Sequence, residues 1–129
     1  MPMPLKIMYV DDDADIRTIV QFSLEDEKDF DLKICSSGQE ALDTVEVFQP
    51  DLVLLDVMMP GMDGPTTFKR LHLLPGFEKV PVAFVTAKVQ PQEVNQFMAL
   101  GAIEVIAKPF DPMLLADQVR QLWVNRRHG

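Results

Sequence analysis

The chain has 129 residues, 47% of them hydrophobic and 8% aromatic, with a formal net charge of −8. That length suits one domain with one core, and the apolar content excludes a disordered chain. The acidic balance argues against a surface that grips nucleic-acid phosphates by itself, so no direct nucleic-acid partner is expected.

The amino end, Met1-Pro2-Met3-Pro4-Leu5, lacks the basic region and apolar run of a signal peptide. No apolar run reaches the ~18 residues of a membrane span, so a soluble, cytoplasmic protein without a membrane partner is expected. Ile7–Val10 is the first strand candidate and runs into Asp11, Asp12 and Asp13. Ile16, Ile19, Val20 and Leu24 then recur at i, i+3, i+4 and i+8, the spacing of one helix face. Leu32–Ile34 is a second strand, with the single cysteine, Cys35, in the same pattern. One cysteine excludes an intramolecular disulfide, fits a reducing compartment and here is expected to be buried rather than reactive. Leu42, Val45 and Gln49 form a second helical row, stopped by Pro50. Leu52–Leu55 is apolar throughout, as in a strand covered on both faces, and ends at Asp56. Phe68, Leu71 and Leu74 mark a third helix that ends at Pro75-Gly76. Val80–Val85 is a fourth strand, ending at Thr86, and Val94, Phe97 and Met98 mark a fourth helix closed by Gly101. Ile103–Ile106 leads to Lys108, and Leu115, Val119, Leu122 and Trp123 lie on a last helix. Asp111 and Pro112 would open that helix as N-cap and N1. A short tail, 125–129, closes a single domain over 1–129 with its core at about 5–124.

Five successive βα units imply an α/β fold of the flavodoxin-like (βα)5 kind. The expected sheet is five-stranded, parallel and doubly wound, in the order 2-1-3-4-5 with right-handed crossovers. A ligand then belongs beyond the carboxyl ends of the strands, at the switch point between strands 1 and 3.

Four strands deliver Asp11–Asp13, Asp56, Thr86 and Lys108 to that same edge. Two carboxylates at ~4 Å repel by roughly 4 kcal/mol at an effective dielectric near 20, so either a proton is shared or a cation is bound. Mg²⁺, a hard ion, suits a site with few carboxylates and leaves room for waters and phosphate oxygens. A carboxylate can be the nucleophile in phosphoryl transfer, which depends mostly on positioning and charge neutralisation. Lys108 offers a second positive charge and Thr86 a hydroxyl donor.

These segments resemble the receiver domains of two-component response regulators, the CheY-like family. The likeness rests on Val10-Asp11-Asp12-Asp13, on Leu54 to Gly64 around Asp56, on Val85-Thr86-Ala87, and on Ala107-Lys108-Pro109-Phe110. It runs in order from about residue 5 to residue 124. The resemblance implies that Asp56 takes a phosphoryl group from a sensor histidine kinase or a histidine phosphotransfer protein. It implies that Asp11, Asp12, Asp56 and the Met58 backbone carbonyl hold Mg²⁺, that Thr86 and Lys108 bind phosphoryl oxygens, and that the Lys108-Pro109 bond is cis. The chain would then catalyse only its own phosphorylation and dephosphorylation, as no free-standing enzyme. It would switch a surface for a downstream protein target, with a phosphorylation-dependent dimer among the assemblies the resemblance allows. The family often carries a third acidic residue where Asp13 stands.

The chain departs from the pattern at Val105, where receivers commonly have an aromatic residue that reports the position of the switch threonine. An altered readout through helix 4, strand 5 and helix 5 is therefore expected. Met58 and Lys88 occupy the positions that tune phosphoryl lifetime, and Met58 has no group to orient an attacking water, so slow autodephosphorylation is expected.

Blander and rival readings stand beside these. Asp11–Asp13 alone could cap helix 1, and Asp56, Thr86 or Lys108 singly could be ordinary strand-end residues. His72 and His128 have no second ligand at sensible spacing and read as surface residues. Trp123 either packs on the sheet or joins a partner surface. A phosphatase of the haloacid-dehalogenase type also uses a strand-end Asp, but it wants a second Asp where Met58 stands. Flavin phosphate binding would need a glycine- and hydroxyl-rich loop in place of Asp11–Asp13. A module that binds partners without phosphorylation would fail to label with acetyl phosphate and Mg²⁺.

Overall fold

The structure is a computed structural model that describes residues 3–126. The expectations placed on His128 and on the end of the tail lie outside these residues. The elements are β1 (Leu5–Val10), α1 (Ala14–Leu24), β2 (Phe30–Cys35), α2 (Gly38–Phe48), β3 (Leu52–Asp56), α3 (Gly64–Leu73), β4 (Val82–Thr86), α4 (Pro91–Leu100), β5 (Glu104–Ala107) and α5 (Leu115–Asn125). All strand pairs are parallel, in the order β2-β1-β3-β4-β5, as the βα alternation predicts.

Strand alternation divides the interior into two cores. Met8, Val10, Val53, Leu55, Val82 and Phe84 face α2, α3 and α4, where Ala41, Val45, Phe68 and Leu71 meet them. Ile7, Tyr9, Leu52, Leu54, Ala83 and Val85 face α1 and α5, against Val20, Leu24, Leu115, Val119 and Leu122. With both faces covered, a polar residue in β1, β3 or β4 would be buried wherever it pointed, which explains the uninterrupted apolar runs. Asp11, Asp12, Asp56, Thr86 and Lys108 stand at or just beyond the strand ends.

Several boundaries differ from the sequence expectation. β1 and β2 begin two residues earlier than their apolar cores, because main-chain pairing continues through Leu5↔Phe30 and Lys6↔Asp31 whatever the side chains. β4 begins at Val82 rather than Val80: Val80 N–H turns back to the Phe77 carbonyl at 3.3 Å, closing a turn instead of a ladder. β5 spans Glu104–Ala107, one residue later than expected, with Glu104 paired to Ala83. Gln49 does not extend α2 but caps it in the left-handed region at φ 59°, returning its N–H to Val45.

The start of α5 is a correction. Asp111 and Pro112 are not its N-cap and N1; the helix begins at Leu115 behind Leu114, which makes no side-chain cap. Asp111 Oδ1 instead accepts from Met113 N–H at 2.9 Å, while the Asp111 carbonyl accepts from Leu114 N–H at 3.0 Å. This local Asp turn competes with the helix for the same donors. His72 corrects another expectation. It is half-buried, its Nε2 is 2.9 Å from the Val80 carbonyl, and its ring centroid lies 4.3 Å from that of Phe68. Cys35 is fully buried, as expected, and Trp123 is half-buried against the α1/α5 core.

Candidate functional site

The site is assembled from the carboxyl ends of β1, β3, β4 and β5. β1 delivers Asp11, which has no exposed surface. Its main chain continues the ladder through Asp11 N–H to Cys35 carbonyl, 3.1 Å, and its own carbonyl accepts from Arg17 Nη1 at 2.9 Å. Burying a carboxylate demands full pairing, and Asp11 has it. Oδ2 accepts from Lys108 Nζ at 2.8 Å and from the Tyr9 hydroxyl at 2.9 Å, and Oδ1 accepts from Asp13 N–H at 3.0 Å.

The three consecutive aspartates divide their work. Asp13 is the N-cap of α1, its Oδ1 accepting from the Asp15 and Ile16 N–H groups at 2.9 and 3.3 Å. The capping reading therefore holds for Asp13. Asp11 and Asp12 instead gather with Asp56, each offering one oxygen, all within 4.8 Å of one another.

Asp56 ends β3 and is buried. Its Oδ1 accepts from Lys108 Nζ at 2.9 Å, so one ammonium bridges Asp11 and Asp56 across 97 and 52 residues of sequence. Lys108 follows β5, and its N–H donates to the Thr86 carbonyl at 2.9 Å, fixing it beside the end of β4. The Lys108-Pro109 bond is cis. Thr86 is buried and its Oγ1 accepts from Lys88 N–H at 3.0 Å. Asp11, Asp12, Asp13, Asp56, Met58, Ala87, Thr86 and Lys108 line one open pocket of about 260 Å³. Every site residue expected from the sequence is among them. Val105 stands apart, lining a cleft of about 310 Å³ between β5 and α5.

The electrostatics are unbalanced. Burial pushes the Asp56 carboxyl up to about 6; the Lys108 hydrogen bond opposes this and the charge of Asp11 adds to it. Lys108 loses solvation, yet the hydrogen bonds and charges of Asp11 and Asp56 outweigh that loss and raise its pKa above the ordinary lysine value. Burial and then the neighbouring Asp11 push the Tyr9 phenol upward, so it remains a donor. Three carboxylate oxygens facing one ammonium leave net negative charge, and an all-oxygen donor set is what a hard divalent cation requires. The residues fit Mg²⁺.

Three contributors are not legible as such in the sequence. Tyr9 sits inside an apolar strand run, so its hydroxyl passes for core. Arg17 reads only as a polar position of α1. Gly64 reads as an ordinary turn former, but a Cβ there would lie 2.4 Å from the Asp56 carbonyl oxygen and 2.8 Å from Val57 Cα. Gly64 N–H also donates to the Val57 carbonyl at 2.8 Å, so only glycine lets α3 press against the backbone that carries Asp56. The signal available is Asp63-Gly64-Pro65: Asp63 caps α3 through Thr66 N–H at 2.9 Å, and Pro65 lies in its first turn.

The chain is similar to known proteins over most of its length. Residues 7–120 match the family model of the response regulator receiver domain. The response regulator Rre1 of Synechocystis sp. is 35% identical over 127 residues, covering 98% of this chain and 55% of that protein. The DNA-binding response regulator MtrA of Mycolicibacterium paratuberculosis is 38% identical over 118 residues, covering 92% of this chain and 51% of that protein. The chain thus spans about half the length of these curated relatives. The chemotaxis protein CheY4 of Vibrio cholerae superposes with a TM-score of 0.84 at 27% identity, covering 92% of this chain and 98% of that one. This chain belongs to the response regulator receiver domain family of two-component signalling.

Proposed function

We propose that Asp56 is the phosphoacceptor and that Asp11, Asp12, Asp56 and the Met58 carbonyl hold Mg²⁺. The observation that carries this is the position of Asp56 in both the three-carboxylate cluster and the Lys108 ion pair, at the end of the central strand. Mg²⁺, when bound, supplies the positive charge that lets an anionic phosphoryl group approach an acidic pocket. An Asp56 oxygen attacks phosphorus in line, the P–N bond of a phosphohistidine breaks, and its electron pair stays on the donor's imidazole. Lys108 and Thr86, already on the pocket wall, take the phosphoryl oxygens. The donor is a sensor histidine kinase or histidine phosphotransfer protein in the cytoplasm. The chain speeds only reactions of its own Asp56, and the whole of residues 1–129 acts as one receiver. Met58, 64% exposed at the pocket, offers no group to orient an attacking water. The aspartyl phosphate therefore outlasts a seconds-long chemotaxis-type signal.

The output surface is that of α4, β5 and α5, contacted by a downstream protein or a second phosphorylated copy, with half-buried Val105 in place of an aromatic reporter. MtrA is named as DNA-binding; this chain's charge of −8 favours protein targets for the receiver itself.

Acetyl phosphate with Mg²⁺ tests the reading by intact mass. The wild type should gain one phosphoryl group that decays slowly over the time course, and Asp56→Asn none. Equal labelling of Asp56→Asn, or no labelling of a folded wild type, would overturn it.

A further inference from the structure

We propose that Tyr9 is a positioning residue of the cation site: its hydroxyl holds the Asp11 carboxylate in the orientation that lets Asp11 join Asp12 and Asp56 around Mg²⁺. This rests on the reading of the pocket given above.

Tyr9 lies two residues before Asp11, so both side chains leave the same face of β1, and the phenol runs along the strand until its oxygen meets Asp11 Oδ2 at 2.9 Å. The ring is fully buried in the apolar α1/α5 core. Packing there needs no hydroxyl; an aliphatic side chain or a phenylalanine would fill the same layer. A buried hydroxyl without a partner would cost stability, and Asp11 is the partner Tyr9 has. The O–H is thus directed at one atom, and that atom belongs to the acidic cluster.

The need for it lies in how Lys108 is shared. Asp11 Oδ2 has two donors, Tyr9 at 2.9 Å and Lys108 at 2.8 Å, but Lys108 also serves Asp56 at 2.9 Å. In the proposed reaction Lys108 turns to the phosphoryl oxygens. Asp11 Oδ2 then depends on Tyr9 alone, while Asp13 N–H continues to hold Oδ1 at 3.0 Å. A phenol suits this post. Its ordinary pKa of ~10 keeps it a neutral donor at neutral pH, so it orients the carboxylate without adding a fixed cation that would repel Mg²⁺. Lys108 supplies charge and can move; Tyr9 supplies direction and cannot, because its ring is locked in the core.

Tyr9→Phe removes the oxygen and keeps the ring. Mg²⁺ titration followed by amide NMR at Asp12, Asp13 and Met58 should show half-saturation moving up about 10-fold, the lower end of the usual cost of removing a group that orients a metal ligand. The acetyl phosphate labelling rate should fall at low Mg²⁺ and recover at saturating Mg²⁺, a loss in apparent KM for the ion rather than in the maximal rate. Tyr9→Leu, which also lacks the hydroxyl, should show the same shift and serves as the second variant should the Phe variant fold poorly. Unchanged or tighter Mg²⁺ half-saturation in a folded variant would overturn the proposal. So would a lower maximal rate without a shift in half-saturation. Because the titration reads Mg²⁺ binding directly, the two readings can fail separately. A wild type that binds Mg²⁺ but accepts no phosphoryl group would sink the phosphoacceptor reading and leave the role of Tyr9 to the titration.

Discussion

Two cations in this molecule each gather several carboxylates, and they do so to opposite effect. Lys108 bridges Asp11 and Asp56, with the lysine side chain 19% exposed and the acids 0% and 6%. Arg120, on α5, binds Asp29 at 2.9 Å, Asp117 at 2.9 Å and Glu27, and also covers the Phe30 ring at 4.9 Å. Its acids are far more open, up to 79% exposed at Asp117. The titration of the acids separates the two clusters. The Arg120 hydrogen bond holds Asp29 below its ordinary range, so that pair is satisfied. Burial drives Asp56 up to about 6 despite Lys108, so that pair is not. One cation with several acids says little about role; what matters is whether water can solvate the acids when the cation leaves. The Arg120 cluster ties the α1–β2 connection to α5. The Lys108 cluster is short of positive charge on the wall of an open pocket.

Lys108→Ala should break the comparison most severely. It strands two buried carboxylates, and removing one partner of a buried ion pair typically costs ~3–5 kcal/mol. In EDTA the variant should unfold at markedly lower urea than wild type, and Mg²⁺ should recover part of the loss. Acceptance of phosphate from acetyl phosphate should fall ~10²–10³-fold, the usual cost of losing one donor to a developing oxyanion. A stability loss no greater than that of an Arg120 variant would show that the two clusters are energetically alike.

Asp56→Asn should act in the other direction. Because the folded-state pKa of Asp56 lies above the ordinary 3.8, the folded state binds the proton more tightly than the unfolded chain. The stability this confers is complete below pH ~4 and is lost as pH rises through about 6. Above that window the ionised carboxylate burdens the metal-free fold, and Asp56→Asn should be more stable than wild type by roughly 1–3 kcal/mol. Denaturant melts in EDTA between pH 4 and 8 should show the two proteins converging at the acid end. Parallel curves would mean that Asp56 is not strained by its burial.

Much of this is legible in the sequence. Strands covered on both faces must be apolar throughout, so Leu52–Leu55 and Val82–Val85 announce themselves and Asp56 and Thr86 stand out as their first polar successors. The division of labour within Asp11-Asp12-Asp13 is not legible from residue type, because a cap and a cluster ligand are the same residue one or two positions apart; only the family resemblance sets Asp11 and Asp12 apart from Asp13. Tyr9 is hidden by its ring, which satisfies the apolar pattern whether or not the hydroxyl has work to do. Gly64 looks like a turn residue because its constraint is a backbone eight positions upstream. His72 has the look of a surface residue because its partner is a main-chain carbonyl across the α3–β4 connection, and main-chain acceptors leave no mark in sequence. Asp111 misleads for a related reason: an Asp-Pro pair can close a turn as well as open a helix, and here Asp111 accepts from Met113 N–H while the helix begins only at Leu115.

Arg120→Ala should give the smallest effect and the sharpest contrast. Exposed ion pairs are worth ~0.2–1 kcal/mol each and are not additive, so the variant should lose about 1 kcal/mol, part of it from the packing of the guanidinium on Phe30. The pH dependence should carry the opposite sign to that of Asp56. Asp29 has a lowered folded-state pKa, so its contribution is present above the unfolded value near 3.8 and is lost as pH falls through the folded one. Salt adds a second discriminator. At 1 M ionic strength the Debye length is ~3 Å, and most of the difference between Arg120→Ala and wild type should vanish, leaving the ring-stacking remainder. The Lys108 deficit should largely persist, because salt screens a pair of largely buried acids much less than exposed ones. Phosphoryl acceptance should be unaltered in Arg120→Ala, since its acids lie at the β2–α5 side of the fold and none of them lines the acidic pocket. A loss of acceptance in a folded Arg120→Ala would mean that the α5 anchor communicates with Asp56. The burial contrast would then be a difference of energy alone, and the two cations would belong to one functional unit.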